Sequence, residues 1–359
     1  MLSLLAFSLL TAGPVDDAVA AIQQVDAHAS RQSAAREAVK TLVAASPESI
    51  GPILEGFGRS PLADNWLRGA FEGAVATEQQ REAVSYDSLR KFVADSANDA
   101  RARRMVYEFL TDEEEAGDLT PRVDDPSVEM RKDAVAAILD EAATADEPLP
   151  LYRKALSGAT LPNQVDAIAE KLAAAGEPVD KLSHYGYLTK WRLLGPFPNP
   201  DESAFDIAYA PESDLDFKTA VDSDYGGETV AREWIDATIA DENGELNLHE
   251  VMENHKGSLV YAAAAFEVAE AQPVQLRIST ENAWKLWLND ELVFARPEYH
   301  RSKRFDQYVL NVDAVAGKNT VLIKLLQNEQ EQSWAQEYDV SVRVTNRNGL
   351  AAEITPVLP

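Results

Sequence analysis

The spacing of apolar residues changes near Leu188, and this change constrains the fold of the 359-residue chain more than any other feature. From Val15 to about Gly176, apolar residues recur at helical spacing, and Pro or Gly separates segments of helical length. After Leu188, short runs alternate apolar and polar residues, as strands do. The sequence therefore predicts a multidomain α plus β chain, with a helical N-terminal half followed by an antiparallel β-sandwich.

The segment Asp125–Leu139 illustrates the helical pattern. Asp125 is a residue type that caps helix N termini, and Pro126 suits a first helical turn. One apolar face would then be formed by Val128, Met130, Ala134, Val135, Ile138 and Leu139. We therefore expect a helix here that buries one side.

Segments of similar pattern surround Arg36, Arg68 and Arg103. An acidic residue shortly before an Arg, followed by small and apolar residues, returns about every 30 to 36 residues, and this pattern resembles HEAT repeats. The resemblance implies an α-solenoid of HEAT-like helix pairs over residues 15–182. Its surface either docks a protein partner or only holds the following domain.

Strand patterns follow over most of the second half. A tight hairpin is predicted at Asn289-Asp290, because both residue types tolerate positive φ. Ala316–Asn319 is expected to turn the chain in the same way, and the first strand is expected to end at Gly195-Pro196. The predicted strands are Tyr187–Phe197, Ser258–Phe266, Val274–Thr280, Trp284–Leu288, Val321–Leu326 and Tyr338–Val344.

Four of these features together resemble a galactose-binding-domain-like jelly roll: Trp191–Phe197, the Tyr225-Gly-Gly turn before Trp234, Trp284–Asn289 and Ala316–Lys324. They are also similar to the accessory sandwich of β-galactosidase-type hydrolases. The resemblance implies a jelly roll over residues 187–359. Members of this class bind sugars at loop ends or only brace a neighbouring domain. This chain has Asn-Asp where the family has Asn-Gly, which leaves the turn type open.

Charge and composition exclude several classes of partner. With 60 acidic and 33 basic side chains the formal charge is −27, so nucleic acid and anionic membranes are unfavourable partners. The absence of cysteine excludes disulfides, thiolate metal sites and a cysteine nucleophile. No segment after the N terminus reaches the roughly 20 apolar residues of a membrane span.

The apolar N terminus, Met1–Leu10, has the outline of an export signal, although no Lys or Arg precedes it. A buried first helix is the alternative. We predict a signal peptide at residues 1–14, a helical-repeat domain at 15–182, a sandwich at 187–359, and a periplasmic or extracellular location.

No catalytic or metal-binding pattern emerges. The offsets in Asp222–Glu233 suit a calcium loop, but the flanking residues favour strands over EF-hand helices. His249-Glu250 lacks a second His four residues after the first, as a zinc-protease helix requires. We therefore expect no metal, no cofactor and no enzymatic activity. A polysaccharide hydrolase, or its accessory subunit, using paired carboxylates is the alternative.

The loop Arg296–Arg304 is the most basic, aromatic-bearing segment of the acidic second half. Aromatic rings beside guanidinium groups suit sugar or carboxylate recognition, although these Arg side chains could instead pair with local acids. The predicted ligand contacts are Trp287, Arg296, Tyr299, His300, Arg301 and Trp334. The sequence thus predicts an exported, non-catalytic binding or scaffold protein whose partners are a protein, through the helical arm, and a glycan, through the sandwich.

Overall fold

The computed structural model describes residues 13–28, 30–118, 120–253 and 255–359. The chain forms two compact units, Met1–Asp146 and Glu147–Pro359. The secondary structure changes from helix to strand between residues 185 and 190, whereas the second compact unit already begins at Glu147 and so includes helices. Residues 1–12 of the predicted export signal lie outside the described residues.

Helices make up the first unit. Several begin at a side-chain cap; Ser60, for example, accepts a hydrogen bond from Ala63 N at 3.1 Å, and Pro61 follows in the first turn. The helices are α1 (Pro14–Gln23), α2 (Gln32–Ala44), α3 (Ile50–Glu55), α4 (Pro61–Ala74), α5 (Glu78–Ala83), α6 (Tyr86–Ala94), α7 (Ala100–Asp112) and α8 (Val128–Ala142).

The start of α8 corrects one expectation. Its cap is Ser127, whose hydroxyl accepts from Met130 N at 3.4 Å, and not Asp125. Asp125 lies before the helix because its carboxylate binds the buried guanidinium of Arg103. Four residues of the predicted apolar face of α8 are buried, Met130, Ala134, Val135 and Ile138, whereas Val128 in the first turn is exposed and Leu139 is half-buried.

The Arg103–Asp125 pair is the most deeply buried ion pair among the described residues of the first unit, with side-chain exposures of 1% and 2%. Arg103 Nη1 donates to Asp125 Oδ1 at 2.9 Å, Nη2 donates to Oδ2, and Nε donates to Val93 O at 2.9 Å. Ser127 N also donates to Asp125 Oδ1, at 2.9 Å. This network joins α7 to the segment that leads into α8.

The second unit contains helices α9 (Leu149–Gly158), α10 (Pro162–Ala174), α11 (Lys181–Tyr185) and α12 (Leu248–Met252). Its strands are β1 (Lys190–Pro198), β2 (Val221–Ser223), β3 (Val230–Arg232), β4 (Ile235–Thr238), β5 (Glu245–Asn247), β6 (Ser258–Val268), β7 (Gln272–Ser279), β8 (Ala283–Leu288), β9 (Glu291–Arg296), β10 (Tyr308–Ala314), β11 (Gly317–Gln327), β12 (Asp339–Thr345) and β13 (Thr355–Val357).

The strands pair antiparallel in two main sheets. The larger sheet has the order β4-β1-β6-β11-β8-β9, with β13 also pairing with β6, and the smaller sheet has the order β10-β7-β12-β5. Alternate residues of both sheets meet in one buried core that includes Trp284 and Val342. The predicted helices followed by antiparallel sheets are therefore present.

The larger sheet is buried on both faces, which the alternating pattern did not predict. Its second face carries Phe197, Tyr261 and Trp287 and is covered by aromatic residues from the connection between β1 and β4. Lys324 helps to hold this connection, because its ammonium donates to Ile207 O at 2.6 Å and lies 2.9 Å from Glu212 Oε1. Burial on both faces explains why nearly every residue of β6 is buried.

Two predictions about where strands end and turn are wrong. Strand β1 passes through Gly195-Pro196 to Pro198, with a bulge in its pairing with β6. The bulge lets Gly195 approach β6 so closely that a Cβ there would lie 3.1 Å from Leu259 O. The Ala316–Asn319 turn does not form a hairpin, because β10 pairs with β7 in the smaller sheet and β11 pairs with β6 in the larger one.

The hairpin at Asn289-Asp290 is confirmed. Both residues have positive φ, 51° and 67°, as a type I′ turn requires. Asn289 Nδ2 donates to Asn319 Oδ1 at 3.0 Å, and Asn289 Oδ1 accepts from Thr320 N at 2.9 Å. These bonds join this turn to the neighbouring one at the same end of the sandwich.

Candidate functional site

The predicted basic loop connects β9 to β10, and its side chains point to different places. Arg296 and Arg301 share one carboxylate, since Arg296 Nη2 and Arg301 Nε lie 2.6 Å and 2.8 Å from Glu298 Oε2. The bond from Arg296 is the main cause of a lowered pKa of Glu298. The two Arg side chains thus pair with a local acid, which was the alternative reading of the loop.

Arg296 and Arg301 nevertheless line a cavity of about 610 Å³ together with Arg304 and Tyr308. The guanidinium of Arg296 lies over the ring of Tyr308, 5.5 Å from its centroid. Glu298 is the one acidic residue in the lining, so the three guanidinium groups leave the cavity with an excess of positive charge.

Tyr299 and His300 point to the loops at the end of the sheets where β11 ends and β12 begins. We call the side chains that meet there the loop-end cluster: Asn199, Glu202, Tyr299, His300, Asn328 and Trp334. Asn199 Nδ2 donates to Tyr299 Oη at 3.1 Å, and His300 Nε2 lies 3.0 Å from Asn328 Oδ1. Burial raises the pKa of Tyr299 to about 12, so its hydroxyl is neutral at physiological pH.

Left-handed backbone is concentrated in this cluster. Asp201, Glu202 and His300 have φ values of 49°, 60° and 53°, which cost non-glycine residues about 1–3 kcal/mol each and persist where surrounding contacts impose them. Asn328 Nδ2 donates to Glu202 Oε1 at 2.9 Å, and Asp201 N donates to Glu329 Oε1 at 2.9 Å. Side-chain bonds between three separate loops therefore hold the strained residues in place.

Trp334 lies on the surface of the cluster. It belongs to a short 3₁₀ turn, Ser333–Ala335, and is 56% exposed. Its ring and that of His300 form a T-shaped pair, with centroids 5.1 Å apart and planes at 86°. A large aromatic face is thus held at the protein surface beside amide and carboxylate groups.

Trp287 does not belong to this surface, which corrects its place among the predicted ligand contacts. It is 7% exposed and packs in the second core of the larger sheet. Trp284 lies on the opposite face of β8, in the core between the sheets, as a spacing of three residues in a strand requires. Neither ring is available to stack on a bound molecule.

Sequence reasoning missed Asn199, Glu202 and Asn328. All three lie in loops whose polar residues resemble ordinary turns, and only the pairing of β1, β6 and β11 brings these loops together. The amide-rich stretch that begins at Gln327 was the one available signal.

The carboxylates with the most unusual surroundings lie on the smaller sheet. Lys303 Nζ lies 2.8 Å from Asp339 Oδ2 and 3.0 Å from Glu245 Oε1. Asp339 is 3% exposed, and burial raises its pKa to about 6, although the bond and charge of Lys303 act in the opposite direction. The ammonium group of Lys303 therefore links the carboxylates of Asp339 and Glu245.

The two remaining motifs lie in a turn and in a short helix. Asp222–Glu228 forms the turn between β2 and β3, with positive φ at Gly226 and Gly227. His249 lies in α12, and its Nε2 lies 2.6 Å from Gln336 O. Within the described ranges no group of three or more His, Asp or Glu side chains is arranged to hold a metal ion, and no described helix is long and apolar enough to cross a membrane.

No protein-family model matches the chain, and comparison with curated proteins gives no match. Among solved structures, a β-glucosidase from Kluyveromyces marxianus in complex with glucose is 10% identical, with a TM-score of 0.25 over 43% of this chain and 16% of that chain. A family 35 carbohydrate binding module from an environmental isolate is 19% identical, with a TM-score of 0.19 over 30% of this chain and 74% of that one. A GH31 α-xylosidase from Xanthomonas citri is 14% identical, with a TM-score of 0.20 over 44% and 19%. These TM-scores are too low to identify a shared fold or a function.

Proposed function

We propose that this chain is an exported, non-catalytic protein that binds glycans through the loop-end cluster of its sandwich. The observation that carries the proposal is Trp334, an exposed indole held against His300 beside Asn328 and Glu202. Binding sites for small ligands combine an aromatic surface with a few fixed polar groups.

Each part of the cluster has a role in this proposal. The indole ring packs against the apolar C–H face of a sugar ring, whose burial supplies most of the binding free energy. Glu202 and the exposed Gln330 accept and donate hydrogen bonds to sugar hydroxyls. The bond from Asn199 to Tyr299 and the bonds of Asn328 with His300 and Glu202 hold these groups in position before the ligand arrives, which lowers the entropic cost of binding.

The hydrolase alternative would use Asp339 and Glu245, the pair with the perturbed surroundings. The ammonium of Lys303 pairs with both carboxylates, whereas a glycosidase needs two carboxyl groups that are free to act on the substrate. Asp339 is also closed to solvent. This arrangement supports a structural role for the pair.

Docking of a protein partner by the helical unit is the second candidate function. The observation that favours it is a mainly apolar cavity of about 350 Å³ between α3, α5 and α6, lined by Ile50, Leu54, Leu89 and Phe92 among others. We infer that the helices form a HEAT-like solenoid and that the sheets form a galactose-binding-like jelly roll, as the sequence resemblance implies.

A glycan array probed with the full chain tests the first proposal. We expect binding to at least one glycan, and Trp334→Ala should weaken the affinity about tenfold or more, because truncation of a central Trp commonly costs 2 kcal/mol or more. Trp334→Phe should keep much of the affinity, since it retains an aromatic face. Val315→Ala is the control, because Val315 is similarly exposed, at 51%, but lies near the opposite end of β11.

Two results would contradict the proposal. Absence of binding to every glycan would leave protein docking as the favoured function. Equal affinities of the Trp334→Ala variant and the unmodified protein would exclude the loop-end cluster as the site.

A further inference from the structure

The positively charged cavity beside the β9–β10 loop is open to solvent. Seven residues line it, of which three are Arg and one is Glu. The side chain of Arg301 is 60% exposed, Arg304 is an exposed residue, and the side chains of Arg296 and Glu298 are partly exposed. A dissolved molecule therefore has direct access to the charged groups.

Two of the three guanidinium groups keep free hydrogen-bond donors. Arg301 bonds to Glu298 through Nε, at 2.8 Å, and its two terminal nitrogens have no partner among the described residues. The side chain of Arg304 forms neither an ion pair nor a hydrogen bond within the described part of the chain. A guanidinium presents its donors as a planar fork that matches a carboxylate. Two such forks in one cavity form a site for an anionic group.

Two further acids of this region, Asp306 and Glu281, bond to other groups. Asp306 accepts from Arg277 Nη1 at 2.6 Å and from Arg343 Nη1 at 3.0 Å. Glu281 Oε1 accepts from Lys303 N at 3.1 Å. Neither acid lines the cavity. These two carboxylates therefore leave the guanidinium donors of the cavity open to a ligand.

The backbone of the loop is held in place on the side away from the ligand. Arg301 N donates to Glu281 O at 3.2 Å. Lys303 lies between Arg301 and Arg304 in the chain, and its Nζ lies 2.8 Å from Oδ2 of the buried Asp339. The two guanidinium groups thus extend from an anchored backbone, which lowers the entropic cost of binding a ligand between them.

The charge of the whole chain limits how much negative charge the ligand carries. The formal charge is −27, but charges more than about 8 Å apart are largely screened at physiological ionic strength. A single anionic group in the cavity therefore interacts mainly with the guanidinium groups. A polymer with a charge on every unit would also meet the acidic surface beyond the cavity. The cavity thus favours a ligand with one carboxylate over a polyanion.

We infer that this cavity binds the carboxylate of a uronic acid residue, so that the glycan of the proposed function is an acidic one. The inference rests on the proposed function, because the loop that carries Arg301 and Arg304 also carries His300 of the loop-end cluster. The Cα atoms of His300 and Arg301 are only about 3.8 Å apart, so the two sites meet at one loop. The volume of about 610 Å³ lies within the range of small-molecule sites and accommodates a sugar ring.

Calorimetric titration of the full chain with methyl glucuronoside, methyl galacturonoside and the uncharged methyl ester of each tests the inference. At least one uronoside should bind about tenfold more tightly than its ester, because the ester forms no charge-assisted bonds. Arg304→Ala should weaken this binding about tenfold without changing stability, since its side chain has no partner in the described ranges. Lys318→Ala is the control, because it removes an exposed positive charge at the opposite end of β11.

Glu298→Gln should change the affinity in the opposite direction. This variant removes the one acid of the lining and releases Arg301 Nε from a carboxylate. Uronoside binding should therefore become about threefold tighter. Loss of a purely structural contact would not raise the affinity.

Several results would overturn the inference. Equal affinities for the uronosides and their esters would show that the charge is not recognised, and an unchanged affinity in Arg304→Ala would exclude the cavity. Tighter binding of glucose 6-sulfate would replace the carboxylate with a sulfate ester, and tighter binding of N-acetylglutamate would favour an acidic peptide.

The glycan array separates these failures from failure of the proposed function. Neutral glycans that bind the unmodified protein but not Trp334→Ala, together with uronosides that do not bind, would retain the loop-end cluster and overturn the acidic ligand alone. Absence of binding to every glycan and every uronoside would overturn both.

Discussion

Removal of the carboxylate of Asp125 should destabilise the helical unit strongly. In Asp125→Ala the guanidinium of Arg103 stays buried but loses both of its carboxylate bonds, and Ser127 N loses its acceptor. Breaking a buried pair from one side costs about 3–5 kcal/mol, and the free energy of unfolding of a whole domain is only about 5–15 kcal/mol. We therefore expect a loss of about 4 kcal/mol.

Urea unfolding followed by far-UV circular dichroism measures this loss in the full chain. With a slope of about 2 kcal/mol per molar urea, the midpoint of the helical transition should fall by about 2 M. Lys40→Ala is the control, because its pair with Glu37 is exposed, at 72% and 71%, and such pairs contribute about 0.2–1 kcal/mol at most.

A double-mutant cycle separates the pair from its surroundings. Arg103→Met with Asp125→Ala should cost clearly less than the sum of the single changes, because the second change also removes the charge that the first leaves unpaired. Additive costs, or a loss below about 1 kcal/mol in Asp125→Ala, would refute the reasoning that the buried charge dominates.

The same pair predicts a dependence on pH. Burial alone raises the pKa of Asp125, but the hydrogen bonds from Arg103 and Ser127 and the charge of Arg103 outweigh it, so the pKa is lowered on folding. A lowered pKa contributes stability above the unfolded pKa, about 3.9, and that contribution is lost as the pH falls through the folded value. The difference between Asp125→Ala and the unmodified protein should therefore shrink in acid.

Two further predictions concern the sandwich. Burial raises the pKa of Asp339 to about 6, so its contribution to stability is largest below its unfolded pKa of about 3.9 and declines as the pH rises to about 6. Relative to Asp339→Asn, the unmodified protein should lose about 2–3 kcal/mol over this range in pH-dependent thermal unfolding, and a difference that does not change with pH would contradict this prediction. In the β8–β9 turn, Asp290→Gly should change the free energy of unfolding by less than about 0.5 kcal/mol, because glycine accepts the positive φ. Asn289→Gly should lower the free energy of unfolding by about 1–2 kcal/mol, since the bonds to Asn319 and Thr320 are lost. Equal effects of the two changes would contradict this explanation.

Local patterns were sufficient to predict secondary structure in much of the chain. The apolar face of α8 and the strands β6, β7, β8, β11 and β12 lie close to where the spacing of apolar residues placed them. The positive φ values at Asn289 and Asp290 follow from the same local logic. In each case the decisive interactions connect residues near one another in the sequence.

Contacts between residues far apart in the sequence decided which side chains are buried and which groups they bind. Asp125 does not cap α8 because Arg103 binds it, and Trp287 is buried because the connection between β1 and β4 covers the second face of the larger sheet. Neither effect leaves a local signal.

The sequence by itself determined the order of helices and strands and the excess of negative charge, and it placed Trp334 among the candidate ligand contacts. Only the tertiary structure decided that His300 meets this Trp, because this contact depends on how the sheets bring separate loops together. Periodicity records which side of an element is buried, whereas a binding site depends on which elements become neighbours.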